Sequence, residues 1–465
     1  MANILVVGSG AREHALVWKL AQSETRPRLF AAPGNPGIAA LAECLSISAD
    51  DVAGIVAAAR GHAIDLVVIG PEAPLIAGLA DALRPEGIAA FGPGAAAARL
   101  EGSKAFAKEI MARASIPTAR YAAFDDAAAA RAYVERHGAP VVVKADGLAA
   151  GKGVTVARTM AEARSAIDDA MERGVFGAAG RTVVIEDYLE GDELSVMALV
   201  AGERCVLLPP SQDHKQVYDG DRGPNTGGMG TFAPVPWADE ALLAAVRERI
   251  FAPLLRELSR AGLDYRGVIY AGLMVTREGP RVIEFNARFG DPETQVTLPL
   301  LEGDFAAVCQ AVAEGQLDAA TLRVAPGAAV GVVLASQGYP GAYATGHPIA
   351  GLDTLPTGTL AFHAGTRAAE DGEASTGRPY VTAGGRVLTL VGLGDDLAVA
   401  RERAYAAAAR VSFAGVHYRR DIGLRERRVT GNAGNAEVRG ERGEGQRETA
   451  EVAEGRRGGK EEIGT

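Results

Sequence analysis

The sequence predicts a multidomain protein of mixed class, an α/β part followed by α+β parts, and three observations carry that prediction. At 465 residues the chain is too long for one hydrophobic core, which suggests roughly three domains. Its first hundred residues alternate short apolar runs with helical stretches, the pattern of a parallel, doubly wound sheet. Beyond them lie further strand-bearing segments, each with its own helix.

Residues 4–7 form the first apolar run, followed by a glycine turn and a helix over about 12–22. Runs at 29–32, 66–69 and 89–91 supply three more strands of the same sheet. A helix over about 103–114 leads into a compact unit at about 117–190, with strands at 141–144, 154–157 and 183–186 and a helix at 160–173. A larger sheet-containing stretch ends in a strand at 282–289 and a helix near 304–314. Strands at 329–336 and 386–392 and a helix at 395–411 make a last unit. The expected domains are 1–103, 104–327 (with the unit at 117–190 inside it) and 328–428. Residues 429–465 are Gly, Glu and Arg with almost no large apolar side chains, so a disordered tail is expected.

Apolar residues at 48% and charged residues at 23% are ordinary for a soluble globular protein. A net charge of −10 argues against nucleic-acid partners, and no apolar run approaches the roughly 20 residues that span a bilayer. The chain opens directly into a strand without a basic n-region, so no signal peptide is expected. Cys44, Cys205 and Cys309 are scattered in apolar surroundings and read as small buried side chains in a reducing, cytoplasmic compartment.

The richest stretch is 282–295, Val-Ile-Glu-Phe-Asn-Ala-Arg-Phe-Gly-Asp-Pro-Glu-Thr-Gln. Strict alternation along a strand puts Glu284, Asn286 and Arg288 on one face and Ile283, Phe285, Ala287 and Phe289 on the other. A carboxylate and an amide oxygen suit Mg²⁺, which usually bridges one or two such ligands to substrate phosphates. The adjacent Arg suits a phosphate or carboxylate. The plainer alternative is a half-buried strand with a solvated polar face. The turn that follows weighs against it, because it adds the carboxylates of Asp291 and Glu293.

Other motifs point the same way, each beside a plainer reading. Gly8-Ser-Gly10-Ala-Arg12-Glu13-His14 joins the first strand to the first helix, where amides bind anions. A dinucleotide fingerprint would need glycine at Glu13 and an acid ending the second strand, so a phosphate other than NAD is favoured over it; a structural tight turn is the alternative. Glu72, in Gly70-Pro-Glu-Ala-Pro74, could accept from a sugar hydroxyl or simply sit in a Pro-fixed loop. Lys144 to Gly153 has the wrong spacing for a P-loop and joins two strands, so it reads as a flap over phosphates or an incidental hairpin. Residues 185–193 could line a nucleotide or form a solvated acidic face. Ser211-Gln-Asp213-His214-Lys215 and Gly223-Pro-Asn225-Thr226-Gly-Gly-Met-Gly230 are polar loops suited to phosphate and carboxylate substrates, although His214 could be an ordinary surface histidine.

Together, in this order, these motifs, with Pro33-Gly-Asn35-Pro-Gly37, Leu100-Glu-Gly-Ser-Lys104 and Gly384-Gly-Arg386, resemble the glycinamide ribonucleotide synthetase (phosphoribosylamine–glycine ligase) family of the ATP-grasp superfamily. The resemblance runs from about residue 3 to about 425; Ser9, Ala11 and Ala287 depart from the pattern, and the tail matches no fused catalytic domain. It implies a Rossmann-like N-terminal domain, an ATP-grasp core with a small flap, and a C-terminal α+β domain. It further implies ATP on Lys104, Lys144, Gly151, Lys152, Gly153, Glu186, Tyr188, Leu189 and Glu193, and Mg²⁺ or Mn²⁺ on Glu284 and Asn286. Phosphoribosylamine would meet Gly8, Gly10, Arg12, Glu13, Asn35 and Glu72. Glycine and the γ-phosphate would meet Asp213, His214, Lys215, Asn225, Thr226, Arg288 and Asp291, with Lys144, Asp213, Lys215 and Arg288 serving catalysis. The implied reaction joins glycine to 5-phosphoribosylamine at the expense of ATP, in purine biosynthesis. Beyond these small molecules, the only protein partner implied is a transient one, the enzyme supplying the labile amine. The alternatives are another ATP-grasp carboxylate–amine ligase, a biotin or aminoimidazole carboxylase, or a redox dinucleotide-binding protein.

Overall fold

The computed structural model describes residues 1–149, 152–318, 322–370 and 379–424. Gly151 and the 429–465 segment lie outside the described residues. Strands β1 (Asn3–Gly8), β2 (Arg28–Pro33), β3 (Glu43–Cys44), β4 (Leu66–Ile69) and β5 (Ala89–Phe91) form one parallel sheet in the order β3-β2-β1-β4-β5. Leu5, Val7, Phe30 and Val67 fill one face and Ile4, Val6, Ala31 and Leu66 the other. Burial on both faces is why these strands read as unbroken apolar runs. The order reverses between β1 and β4, which opens a crevice at their carboxyl ends. The short edge strand β3 was not expected, since two exposed residues leave no periodicity to read. Cys44 lies on it and is exposed, contrary to the buried reading; Cys205 is half-buried and Cys309 buried.

The segment at 121–187 folds into a four-stranded antiparallel sheet in which Val141–Ala145 and Val154–Ala157 pair as the hairpin expected around the glycine-rich flap. Its core lies against the helices Ala127–His137 and Met160–Met171. A second four-stranded antiparallel sheet runs through Arg204–Leu207, Asp192–Ala201, Arg266–Thr276 and Gly279–Asn286. The C-terminal sheet is built on Ala328–Ser336, Arg386–Gly394 and Thr359–His363, and it also takes in Gly230–Ala233 and Gln212–Asp213 from the middle of the chain. The loops around 213–230 are thereby welded to C-terminal strands.

The strand at 282–289 needs a correction. It ends at Asn286, and its register slips opposite Gly272 and Leu273, which pair with Glu284 and Val282. Such a bulge gives the strand one extra residue and re-aims the side chains around it. Val282 and Phe285 share the core, while Ile283 turns toward the cavity described below. Glu284 and Asn286 keep one face. Ala287 and Arg288 lie in a bend beyond the strand, and Phe289 stacks on Phe91 of β5 with ring centroids 5.9 Å apart.

Helix α1 (Ala11–Leu20) is buried on nearly every side, including Arg12, Glu13, His14 and Lys19. Its buried polar groups are met: Lys19 donates to the Leu301 carbonyl at 2.5 Å, and His14 Nδ1 accepts from the His363 amide at 2.9 Å. Burial, with His363 as a second cause, pushes the His14 pKa down to about 3, and burial pushes His363 down to about 4. Both folded values lie below the unfolded value near 6.5, so the stabilisation is complete above that pH and is lost as pH falls toward 4 and 3. The wild-type protein should therefore lose up to about 1.4 kcal/mol per pH unit from each histidine across that window. Denaturant melts of His14→Gln between pH 7 and 4 should show a shallower acid slope than wild type; an equal slope would remove His14 from this role.

Candidate active site

One cavity of about 1020 Å³ gathers side chains from the two four-stranded sheets, from the C-terminal sheet and from the helices that follow β1 and β4. One end is lined by the glycine-rich hairpin and the strand after it. Lys144, Lys152, Gly153, Glu186, Tyr188 and Leu189 all border it, with Lys104 from the Lys104–Arg113 helix. The Lys144 ammonium lies 2.7 Å from the Glu186 carboxylate and donates to the Ile283 carbonyl at 2.9 Å. Glu186 is shared with Lys108, also at 2.7 Å, which donates in turn to the Thr118 hydroxyl. Two buried ammonium groups around one carboxylate leave a net positive charge, as a polyphosphate site requires. Lys108 was missed in the sequence; its spacing of four from Lys104, one turn along the same helix face, was the available signal. Burial lowers the pKa of Lys104 and takes that of Lys108 down to about 8.

At the centre stand Glu284 and Asn286. Burial would raise the Glu284 carboxyl, but Lys215, Lys144, Lys104 and Arg288 together outweigh it and hold the group below the usual carboxylate range. Glu284 is thus ionised at neutral pH. Two hard oxygen donors on one strand face fit a Mg²⁺-type ion that takes its remaining ligands from water and substrate phosphates. Lys215 lies 3.6 Å from Glu193 and 3.9 Å from Glu284. Burial works against its charge, and Glu193 and Glu284 restore it, so it stays cationic. Burial and the nearby Glu293 push Asp213 well up.

Arg288 reaches the cavity through its partners rather than through strand alternation. Its Nη2 lies 2.8 Å from Glu101 and its Nε 3.4 Å from Glu72. Glu101 also accepts from the Ala287 amide at 2.7 Å, so it fixes both the guanidinium and the bend that carries it. Glu101 belongs to the Leu100–Lys104 motif, yet nothing in the local sequence marks its pairing with a residue so far along the chain. Arg12 and Glu72 bring the N-terminal sheet to the same cavity, and Asp291, Asn225, Thr226, Glu193 and Asp213 border it too.

Five of the expected residues stand behind the wall instead. Glu13 fills the glycine loop itself: its carboxylate accepts from the Gly10 amide at 2.7 Å and from Arg12 Nε at 2.6 Å. A Cβ on Gly8 would fall 2.5 Å from Glu13 Cγ, and one on Gly70 2.2 Å from Glu13 Oε1. The glycines make room for this side chain, which sits where a dinucleotide fingerprint has its third glycine and where the helix amides would meet an anion. Asn35 is consumed by backbone groups, donating to Ser9 and His363 carbonyls and accepting from the Ile38 amide. His214 is buried beside Phe232 and does not border the cavity, neither a surface histidine nor a lining residue. Gly8 and Gly10 are likewise absent from the lining.

This chain matches family models in three consecutive parts: the phosphoribosylglycinamide synthetase N domain over residues 2–101, the ATP-grasp (A) domain over 102–294 and the C domain over 329–425. The chain belongs to the phosphoribosylglycinamide synthetase family. A phosphoribosylamine–glycine ligase of Halalkalibacterium halodurans is 49% identical over 422 residues, 90% of this chain and 96% of that protein. The crystal structure of phosphoribosylamine–glycine ligase from Thermotoga maritima superimposes with a TM-score of 0.78 at 34% identity, covering 90% of this chain and 100% of that one. The biotin carboxylase domain of Hydrogenobacter thermophilus 2-oxoglutarate carboxylase, in complex with MgADP and bicarbonate, has a TM-score of 0.68 at 18% identity over 89% of this chain and 91% of that one, a likeness of fold alone. In family terms the cavity lies where the N, A and C parts meet, since Glu72, Lys144 and Arg386 all border it. No helix among the described residues is long and apolar enough to cross a membrane.

Proposed function

We propose that this chain catalyses the ATP-dependent ligation of glycine to 5-phosphoribosylamine, giving glycinamide ribonucleotide, ADP and phosphate, in purine biosynthesis. The observation that carries the reading is the single cavity in which the Lys144–Glu186–Lys108 cluster, the Glu284–Asn286 pair and the Arg288–Glu101–Glu72 cluster face one another. The glycine carboxylate attacks the γ-phosphorus and ADP leaves. The amine of phosphoribosylamine then attacks the acyl carbon of glycyl phosphate and inorganic phosphate leaves. Neither step needs an enzyme nucleophile; the work is positioning and charge neutralisation.

Lys104, Lys144 and Lys152 neutralise the ATP phosphates, Glu186 to Leu189 flank the adenine, and Glu193 meets the ribose. Glu284 and Asn286 hold a divalent ion, Mg²⁺ or Mn²⁺, which screens the phosphate charge when bound. Arg288, Lys215, Asp213, Asn225 and Thr226 line the junction of glycine with the γ-phosphate. Arg12 and Glu72 face the amine substrate, while Glu13 and Asn35 shape the loop behind them. The domains are 1–103, 104–327 with its flap at about 117–190, and 328–428. A cytoplasmic enzyme with a transient contact to the source of its labile amine suits this chemistry.

The deciding assay measures ADP release with each substrate omitted in turn. Release should require ATP, glycine and phosphoribosylamine together. Turnover supported by bicarbonate with an aminoimidazole or biotin, and indifferent to glycine, would replace this reading with a carboxylase.

A further inference from the structure

The C-terminal part contributes two side chains to the cavity wall, Arg386 and Tyr339, to which the reaction above gives no role. Arg386 opens the Arg386–Gly394 strand. Its Nη1 donates to three backbone carbonyls from two loops: Gly227 at 2.5 Å, Asp291 at 3.0 Å and Gly228 at 3.5 Å. Its Nη2 lies 3.5 Å from the Asp291 carboxylate. The Tyr339 hydroxyl accepts from the Gly227 amide at 3.0 Å. One residue of the 225–230 loop is therefore gripped at its N–H by Tyr339 and at its C=O by Arg386.

The fit leaves no slack. A Cβ on Gly227 would fall 3.0 Å from Arg386 Cζ, and one on Gly228 2.5 Å from Pro292 Cδ and 2.8 Å from Asp213 Oδ1. A Cβ on Gly385 would strike the Tyr339 ring at 2.3 Å. The Gly384-Gly-Arg386 motif thus has a local reason: glycine at 385 admits the tyrosine, and the arginine follows it into the cavity wall. Burial works against the Arg386 charge, but Asp291 and then Tyr339 offset it, so the guanidinium stays cationic.

We propose that Arg386 and Tyr339 are positioning residues that clamp the Gly227–Gly228 backbone against the 291–292 turn and so seal the acyl-phosphate end of the cavity from water. The inference rests on the ligase reading, because the acyl phosphate is what water would destroy. A loose clamp lets glycyl phosphate hydrolyse before the amine attacks, consuming ATP without product.

The test is the ratio of ADP released to glycinamide ribonucleotide formed. Arg386→Lys keeps the charge but has one nitrogen in place of two held in a plane, so it cannot meet the backbone carbonyls and the Asp291 carboxylate at once as Nη1 and Nη2 do. Tyr339→Phe removes only the hydroxyl that accepts from Gly227. Wild type should give a ratio of about 1; Arg386→Lys should raise it to roughly 2 or more and lower kcat by roughly 10-fold, with the KM for ATP within about 2-fold. Tyr339→Phe should move the ratio in the same direction by less, and the double variant should not exceed the sum, since both act on one loop residue. A ratio that stays at 1 in Arg386→Lys, whether or not its melting temperature falls, overturns the proposal. Should that variant fail to fold, the ratio in Tyr339→Phe decides: a rise supports the clamp and an unchanged value overturns it. Wild-type enzyme releasing no glycine-dependent ADP would instead bring down the ligase reading itself.

Discussion

Replacing Glu284 by alanine should abolish turnover, by at least about 10³-fold, while leaving the fold intact. The carboxylate stands at the cavity among Lys215, Lys144, Lys104 and Arg288, which hold it ionised. It is half-buried and packs no core. Its removal would strip the proposed divalent ion of its charged protein ligand, while Lys144 keeps Glu186, Lys215 keeps Glu193 and Arg288 keeps Glu101 and Glu72 as counter-charges. The scaffold beneath is independent, because Val282 and Phe285 anchor the strand from the other side. Stability should change by no more than about 1 kcal/mol. Turnover and a thermal melt, run over a Mg²⁺ and Mn²⁺ series, decide the matter. Activity within about 10-fold of wild type at saturating metal would remove Glu284 from the metal site.

Arg288→Met should cost both activity and stability. Turnover should fall by about 10²–10³-fold, the usual loss for one charge-stabilising donor. The fold should lose roughly 3 kcal/mol, because Glu101 and Glu72 would be left facing each other in a buried site. Burial already raises the Glu101 carboxyl and Arg288 opposes that rise. Burial likewise works against Glu72, where Arg288 and Arg12 prevail and keep the group low. Without the guanidinium Glu101 rises further and Glu72 loses the first of the charges that hold it low, so the folded variant takes up protons more readily than the folded wild type. The variant's deficit should therefore shrink as pH falls from 7 toward 5, opposite to the acid loss expected from His14. Denaturant melts at pH 7, 6 and 5 test this; a deficit that is constant with pH would mean that the two carboxylates are not what Arg288 offsets.

Much of the fold could be read from periodicity. The strands at 66–69, 89–91 and 154–157 appear over the expected residues, and most other elements begin or end within two residues of expectation. Those three strands each border a glycine (Gly70, Gly92 and Gly153), and local chemistry decides them. The bulge at Ile283 was not legible, because Val-Ile-Glu-Phe-Asn suits a regular strand equally well. It shows only against the partner strand, where the register slips between Gly272 and Leu273. The exposure of Cys44 was hidden for a related reason: an edge position depends on which strand lies beside it, not on the residues around the cysteine.

The candidate site divides along the same line. Residue types and spacing by themselves determined that this chain carries a glycine-rich flap with lysines at both ends, a Glu-x-Asn pair and a clustered Arg-Phe-Gly-Asp-Pro-Glu turn. Each is a local pattern whose chemistry needs only neighbours in sequence. Only the tertiary structure decided which groups neutralise one another. Glu101 meets Arg288, Lys108 meets Glu186, and Arg386 meets the Gly227 carbonyl across 159 positions. It also decided that Glu13 fills the glycine loop and that His214 faces the core. Long-range pairs leave no periodic trace along the chain. They exist because burying a charge is costly unless an opposite charge or a dipole is folded against it, and the packing of whole sheets chooses that partner.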